Sequence, residues 1–194
     1  MSNPLCNLTI KDYLAALASK SATPGGGSAA ALTAAQGASL LSMVCQFTQS
    51  SDKSIIERGE ACLSTYTKLL LLAQEDVDAF NNVIKWYSNI ESDDYRNAVR
   101  QAIVVSLSIM REASELVDAA KYLSEAGNKN LITDVAIGAN LLSSAIESAS
   151  VNMLINCKSI PNEELCKKSK QASIRYLESS NQLQQVYLLI KQRI

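Results

Sequence analysis

Three consecutive glycines follow a proline near the N-terminus, and an alanine-rich run comes directly after them. The segment consists of Pro24, Gly25, Gly26, Gly27 and Ser28. A glycine inside a helix costs roughly 1 kcal/mol relative to alanine, so a triple run belongs where the chain turns or where another group approaches the bare backbone. We predict a loop that opens a helix, with Ser28 as N-cap and the first amides directed at an anion or a polar ring edge. A flexible turn between helices is the alternative.

The glycine run does not match the known phosphate-binding loops. A P-loop ends in Gly-Lys-Ser or Gly-Lys-Thr, and a dinucleotide fingerprint needs a preceding strand and a different glycine spacing. The sequence here has neither the ending nor the strand pattern. We therefore do not expect a nucleotide at this loop.

Residues that end helices are rare in the rest of the chain. The 194 residues include three prolines and seven glycines, and alternating β-branched segments bounded by turns are missing. We expect an all-α fold: a single-domain bundle of about five to seven helices covering residues 1–194. Several helices are apolar on more than one face, which indicates burial or a subunit interface. The predicted helices cover 10–19, 28–49, 94–125 and 131–157, and another starts at Pro161. Between 28–49 and 94–125, a loop over 50–53 leads into a helix that extends to Trp86, with Asp52 or Ser54 as its cap.

Charge and cysteine spacing exclude several classes of function. The net charge is −1, with dispersed basic residues, so nucleic acid is not an expected partner. No continuous apolar run approaches the roughly 20 residues that cross a bilayer, and the N-terminus lacks the pattern of a secretory signal. The five cysteines are scattered and fit neither a disulfide framework nor a zinc site. We expect a cytoplasmic protein that binds no membrane and no metal.

The chain contains no histidine. This excludes Ser-His-Asp and Cys-His catalysis together with histidine-bound metals. Any proton transfer must therefore use carboxylates, lysines, tyrosines, cysteines or water.

One carboxylate stands on an apolar helical stripe. Steps of three and four residues connect Asp76 with leucines before it and Phe80 after it, whereas Asp78 falls on the polar side. Loss of hydration raises the pKa of such a carboxyl and can keep it protonated at neutral pH, as a general acid requires. A buried hydrogen bond or an ion pair with Arg100 or Arg111 is an equal alternative on spacing alone.

A second stripe of small and amide residues follows one helix face from Asp134 to Asn152 and Asn156. It suits an elongated polar ligand, or equally a helix interface in which the asparagines satisfy backbone groups. At about 1.5 Å per residue, Asp134 and Asn152 stand roughly 27 Å apart along a straight helix. They must contact different ends of a long ligand or belong to different sites across a dimer.

Several segments, in this order and spacing, resemble the cyclodeaminase/cyclohydrolase family of folate enzymes. That family includes the cyclodeaminase half of formiminotransferase-cyclodeaminase and stand-alone methenyltetrahydrofolate cyclohydrolases. The matching segments span nearly the whole chain. They are Leu14–Ser19, Thr23–Ser28 with Met43-Val44, Leu72–Phe80, Gly127-Asn128, Thr133-Asp134 and Asn152–Asn156.

The resemblance implies tetrahydrofolate one-carbon chemistry. The first reading is a formimidoyltetrahydrofolate cyclodeaminase, which converts 5-formiminotetrahydrofolate to 5,10-methenyltetrahydrofolate and ammonia. The alternative is a methenyltetrahydrofolate cyclohydrolase, which adds water to the methenyl compound and yields 10-formyltetrahydrofolate. A non-catalytic folate-binding or scaffold protein is the alternative from another class.

The resemblance also implies which residues act. Asp76 matches the assigned active-site aspartate of the bifunctional enzyme, so we expect it to shuttle the proton. We expect the Pro24–Ser28 loop, Asn128, Asp134, Asn152 and Asn156 to bind substrate, and among the basic residues Lys53 is the best candidate for the folate tail. No cofactor beyond the folate substrate is implied.

The expected partners are a second copy of the chain in a homodimer and a separate formiminotransferase. Two departures from the family pattern concern the pocket rim at Trp86-Tyr87-Ser88 and one helix position at Ser106, where relatives often have a Leu-Pro-Lys-like stretch and a proline. The segments expected to carry the chemistry are retained.

Overall fold

The protein is a bundle of α-helices in the computed structural model, which describes residues 4–48 and 52–194. Those residues form seven α-helices and three single turns of 3₁₀-helix, and none of them lies in a strand. This confirms the predicted all-α fold. The helices are α1 (Ile10–Leu17), α2 (Gly26–Phe47), α3 (Lys53–Trp86), α4 (Asp93–Ser114), α5 (Val117–Ala126), α6 (Ile132–Ser159) and α7 (Glu164–Arg193).

Four helices form a square around the core. α2 packs along both α3 and α6, and α4 packs along the same two helices. α3 and α6 contact each other little, so they lie on opposite sides of the square. α7 covers the outside of α6 and α4, and the short α5 packs on α6 and α7.

The closest approach of two helices occurs where α2 crosses α6. A Cβ at Gly37 would lie 2.8 Å from the carbonyl oxygen of Gly138 and 2.9 Å from Leu142 Cγ. Both distances are shorter than van der Waals contact, so the crossing depends on the missing side chain. This contact fixes the position of α6, which carries three of the predicted site residues.

Helix starts follow the predicted capping chemistry in some places and not in others. Asp52 caps α3 by accepting a hydrogen bond from the Ser54 amide at 2.9 Å, as predicted. Ser28 was expected to be the N-cap of α2, but Gly25 holds that position. Ser28 is instead the third helical residue, and its hydroxyl accepts from the Gly25 amide at 3.1 Å. This is a capping-box contact.

Two predicted helix boundaries are wrong. The helix expected over 94–125 breaks between α4 and α5, where the Leu116 amide bonds to the Ala113 carbonyl at 3.4 Å, three residues back instead of the four of a regular α-helix. Pro161 does not start α7. It lies in a turn closed by the Glu163 amide on the Ile160 carbonyl at 3.2 Å, a position that its fixed φ suits. The expected end of α2 at Gln49 and the loop residues Ser50 and Ser51 lie outside the described residues.

α2 is long and apolar enough, by length and composition, to meet the criteria for a membrane span. However, 61% of its most apolar window is buried inside the bundle, against α3 and α6 on its two sides. Its hydropathy is therefore explained by its place in the core.

Candidate active site

A cavity of about 230 Å³ opens at one end of the helical square, between α3 and α6. The glycine loop forms one wall and α4 forms another, and the separation of α3 from α6 leaves the space between them. The polar part of the lining consists of Thr23, Gly25, Gly26, Gly27, Asp76, Asn152 and Asn156. Six of these seven residues were predicted from the sequence to be catalytic or substrate-binding, and they come from three separate segments of the chain.

The loop is held against α3 next to the cavity. The Thr23 hydroxyl donates to Asn81 Oδ1 at 3.3 Å, and the Leu5 amide donates to Gln74 Oε1 at 2.9 Å. Pro24, which follows Thr23 through a cis peptide bond, belongs to this loop without lining the cavity. The N-terminal segment is thus attached to the helix that carries Asp76.

Gly27 and Asp76 are in direct contact. A Cβ on Gly27 would overlap the Asp76 carboxyl group, with Oδ2 only 2.7 Å away. None of the described glycines has a positive φ, so unusual backbone conformation does not explain Gly27. Glycine is required at this position because the carboxyl group occupies the space of a side chain.

The environment of Asp76 favours its protonated form. Burial raises the pKa of this carboxyl above its ordinary value, and a hydrogen bond from the Ser28 backbone amide opposes the shift without cancelling it. No salt bridge to Asp76 occurs among the described residues. Arg100 pairs with Glu163 at 2.7 Å and Arg111 pairs with Glu112 at 2.9 Å. The alternative in which Asp76 pairs with either arginine is therefore wrong.

Tyr13 on α1 brings a phenol to the buried side of the glycine loop. Burial raises the pKa of Tyr13, the Ser28 hydroxyl acts in the opposite direction, and the Asp76 carboxylate raises it further. The Tyr13 hydroxyl is buried and has no well-aligned hydrogen-bond partner within the described part of the chain. Its raised pKa keeps the phenol neutral at neutral pH, so Tyr13 places no negative charge beside Asp76.

Asn152 and Asn156 line the cavity from α6, opposite Asp76. They stand four residues apart, so both point to the same side of the helix. The Asn152 amide lies close to Gly26, at 3.7 Å (Oδ1) and 3.8 Å (Nδ2) from where a Cβ would be. The two amides and the loop backbone supply donors and acceptors without a net charge.

Three predicted binding residues lie elsewhere. Lys53 starts α3, roughly 35 Å along the helix from Asp76 at 1.5 Å per residue. The Asn128 side chain donates to the Phe47 carbonyl at 3.0 Å, beyond the far end of α2, and accepts from the Asn130 amide at 3.0 Å. Asp134 is near Asn128, in the first turn of α6. Within one subunit these residues cannot share a small ligand with Asp76, and a binding role for them stays a prediction.

The cavity also has an apolar part that the sequence reasoning did not assign to the site. It is formed by Phe80, Ala102 and Ile155, together with Ala22 at the rim. Phe80 could have been found, because it stands one turn from Asp76 on the same stripe. The residue types of Ala102 and Ile155 do not indicate a binding site. They are identified as lining residues only from the packing of α4 and α6. Trp86 and Tyr87, which the family resemblance places at the pocket rim, lie beyond Phe80 outside this cavity, and Tyr87 lines a separate cavity of about 750 Å³.

Fold and site together define a helical-bundle protein with a small pocket in which a buried carboxyl group faces uncharged amides. The chain belongs to the formiminotransferase-cyclodeaminase family, whose model matches residues 9–174. The expected resemblance is thereby confirmed.

Relatives of known name are similar to nearly all of the chain. A methenyltetrahydrofolate cyclohydrolase from Methylorubrum extorquens is 29% identical, with 97% of this chain and 98% of the relative covered. The formimidoyltransferase-cyclodeaminase of Mus musculus is also 29% identical over 85% of this chain, but the match spans only 33% of the mouse protein. These relatives are named as folate-processing enzymes, which supports an enzyme here.

The fold has a close counterpart among solved structures. The crystal structure of formiminotetrahydrofolate cyclodeaminase from Thermotoga maritima matches with a TM-score of 0.83 and 28% identity, covering 97% of this chain and 96% of the other. The similarity thus extends over the complete bundle, including the segments that form the cavity.

Proposed function

We propose that the protein is a formimidoyltetrahydrofolate cyclodeaminase. The observation that carries this proposal is the Asp76 carboxyl group, whose pKa is raised by burial and which lines a cavity with uncharged amides. A reaction that moves one proton between two nitrogens needs a single group that both accepts and donates it. A carboxyl with a raised pKa can do both closer to neutral pH than an ordinary aspartate.

The proposed reaction is a ring closure within one substrate molecule. The anilino nitrogen attacks the carbon of the protonated formimino group. A carbon–nitrogen bond forms while the π bond to the formimino nitrogen breaks, giving a tetrahedral intermediate that carries an amino group. Asp76 takes the proton from the anilino nitrogen and gives it to the amino group, and the bond from carbon to that group breaks to release ammonia. Because both reacting groups belong to one molecule, orientation by the pocket supplies much of the rate.

The loop and the asparagines would orient the substrate for this closure. Gly25, Gly26 and Gly27 offer backbone groups at the start of α2, and Asn152 and Asn156 offer side-chain amides from the opposite side. The Ser28 amide hydrogen-bonds to Asp76 and would keep its carboxyl group in place as the proton arrives and leaves.

The cyclohydrolase reaction is the second candidate. The match to the Methylorubrum extorquens cyclohydrolase covers almost the full length of both chains, which favours it. In that reaction Asp76 would accept a proton from water as the water oxygen bonds to the methenyl carbon. The bond from that carbon to one ring nitrogen then breaks, and Asp76 gives its proton to this nitrogen. The proton left on the added oxygen goes to solvent as the formyl carbonyl forms.

Assays with the two substrates separate these candidates. The purified protein is incubated with 5-formiminotetrahydrofolate or with 5,10-methenyltetrahydrofolate, while the near-ultraviolet band of the methenyl compound and the release of ammonia are followed. A rising band with ammonia release supports the cyclodeaminase, and an accelerated fall with the second substrate supports the cyclohydrolase. No turnover of either would contradict both and favour the non-catalytic folate-binding reading.

We also propose a homodimer formed through the outer faces of α2 and α6, here called the α2–α6 face. α2 has no charged residue in its 22 positions, although its outer side is not covered by other helices of the described chain. On α6, the apolar residues Ile137 and Val151 are 49% and 64% exposed. A second copy would cover these apolar side chains and the uncharged surface of α2.

The cellular setting is likewise proposed. All five cysteines are free, which suits a reducing compartment such as the cytoplasm. The match spans about a third of the Mus musculus relative. We propose that a formiminotransferase supplies the formimino compound. Tetrahydrofolate itself is the only cofactor-like molecule in this scheme.

A further inference from the structure

The proposed reaction does not use the apolar half of the cavity, where two large side chains are exposed. Phe80 is 39% exposed and Ile155 is 55% exposed, and both line the cavity. Ala102, which is 7% exposed, closes the floor between them. An exposed aromatic residue beside a buried carboxyl group, in a concave site, marks a surface that a ligand can cover.

The helical packing places these two side chains on opposite walls. Phe80 belongs to α3 and Ile155 to α6, and those helices lie on opposite sides of the four-helix square. Phe80 stands one helical turn beyond Asp76, and Ile155 lies between Asn152 and Asn156. The two apolar walls thus face each other across the cavity. Asp76, Asn152 and Asn156 each lie within one helical turn of one of these walls.

The size of the cavity limits what can enter. Its volume of about 230 Å³ is below the ~300–1,000 Å³ of pockets that enclose a whole drug-sized ligand. It can take one ring system, and the remainder of a larger conjugate must extend out of it. A flat ring with polar atoms along one edge matches two apolar walls with amides beside them.

We propose that Phe80 and Ile155 clamp the pterin ring of a reduced folate between them, with Asn152, Asn156 and the glycine loop at the polar edge of the ring. This assignment rests on the proposed function. The aminobenzoyl part and its tail leave the cavity, and the atoms bridging the two parts pass next to Asp76. Phe80 is then a specificity-determining residue, which binds the ring without taking part in proton transfer.

Steady-state kinetics of Phe80→Leu provides the first test. Loss of the aromatic face should raise KM roughly threefold to tenfold, as the usual worth of an aromatic contact implies, while kcat changes less. Phe80→Tyr keeps the face and should restore the KM of the wild type. Phe47→Leu is the matched control, since Phe47 is the only other phenylalanine and is 62% exposed away from the cavity. An unchanged KM in Phe80→Leu would overturn the proposal.

Binding of substrate fragments separates this inference from the proposed function. Calorimetry with 6-methyltetrahydropterin, which has the ring without the aminobenzoyl tail, should give an affinity that falls roughly threefold to tenfold in Phe80→Leu. With p-aminobenzoylglutamate the affinities of wild type and variant should agree. If neither folate substrate is turned over but the pterin affinity still depends on Phe80, the ring clamp stands and the enzyme assignment fails. A dependence on Phe80 for the aminobenzoyl fragment alone would overturn the clamp.

Discussion

At the scale of single residues, the contact between Gly27 and Asp76 decides whether the site can form. Each atom of the carboxyl group lies within 2.7 Å of the position of a Gly27 Cβ, a distance that real side chains do not tolerate. The neighbouring Gly26 has its nearest non-local atom at 3.7 Å, which is ordinary contact. Gly27 is thus required by its contact with the Asp76 carboxyl group, whereas no neighbouring side chain requires a glycine at position 26.

We expect Gly27→Ala to destabilise the protein by about 1–3 kcal/mol, the usual range for an added methyl group in a packed site. Gly26→Ala should be neutral or stabilising by about 0.5–1 kcal/mol, because alanine is the better helix former. Urea unfolding of both variants checks this. Equal stabilities for the two variants would contradict the close contact at Gly27.

The raised pKa of Asp76 has a consequence for stability that can be measured. Its pKa in the folded protein lies above the ordinary value of 3.8, so the folded state binds this proton more tightly than the unfolded state. Stability is therefore greatest below pH 3.8 as far as this group is concerned, and it falls as the pH rises from there through the raised pKa. An asparagine at position 76 is uncharged at every pH, so the folded protein does not lose this stability as the pH rises.

We expect Asp76→Asn to be more stable than the wild type at neutral pH, with a difference that shrinks towards zero as the pH falls below about 4. Urea unfolding of both proteins at several pH values tests the sign. Asp78→Asn is the matched control, because Asp78 is exposed on the same helix and accepts a hydrogen bond from Gln74 at 3.0 Å. A wild type more stable than Asp76→Asn at neutral pH would show that Asp76 is held ionised.

The polar part of the site could be predicted from the sequence because its residue types are unusual where they stand. A carboxylate on an apolar stripe and three glycines before a helix are local signals, and family resemblance connected them with the asparagines of α6. Ala102 gives no such signal, and Lys53 was predicted only because the folate tail needs a cation. The place of Ala102 in the cavity depends on the distance between helices, and the distance of Lys53 from the cavity depends on the length of α3. Local sequence determines neither quantity.

At the scale of helices, the crossing of α2 and α6 depends on Gly37. A Cβ there would lie 2.8 Å from a backbone carbonyl of α6, and backbone cannot move aside as a flexible side chain can. The two helices would have to separate, and that movement would also shift the α6 segment that carries Asn152.

We expect Gly37→Ala to lower the free energy of unfolding by about 1–3 kcal/mol, although alanine has the higher helix propensity. Ser39→Ala, two residues away on the exposed side of the same helix, should be close to neutral. Thermal or urea unfolding compares the two. A Gly37→Ala protein as stable as the wild type would contradict the tight crossing.

The helix boundaries show what local sequence patterns miss. Periodicity predicted one helix over 94–125, since no glycine or proline interrupts it. The break near Ser114 is instead a tightened turn, in which the Leu116 amide bonds to the Ala113 carbonyl at 3.4 Å and the Leu116 side chain is buried, with 1% exposed. Caps that involve only neighbouring residues, such as Asp52, were predictable because the interaction is complete within the segment.

At the scale of the whole molecule, the exposed apolar residues of the α2–α6 face are the feature that the single chain does not explain. Val151 projects from its centre with 64% of its surface exposed. If a second copy covers this face, a charge placed there has to be buried, which is strongly unfavourable without a partner.

We expect Val151→Asp to convert the dimer into monomers at micromolar concentration. Light scattering coupled to size exclusion reads the mass directly. Ile174→Asp is the matched control on α7, where the side chain is 58% exposed outside the α2–α6 face, and it should leave the dimer intact. A monomeric wild type, or dissociation by the control substitution alone, would contradict the proposed interface.

The central claim is that Asp76 carries the proton in a folate ring-closing or ring-opening reaction. The most direct test is the kcat of Asp76→Asn against that of Asp78→Asn and the wild type, on whichever of the two folate substrates the wild type turns over. Loss of a general acid/base should lower kcat about 10²–10⁴-fold, while Asp78→Asn stays within a few-fold of the wild type. A correctly folded Asp76→Asn protein with undiminished kcat would contradict the account.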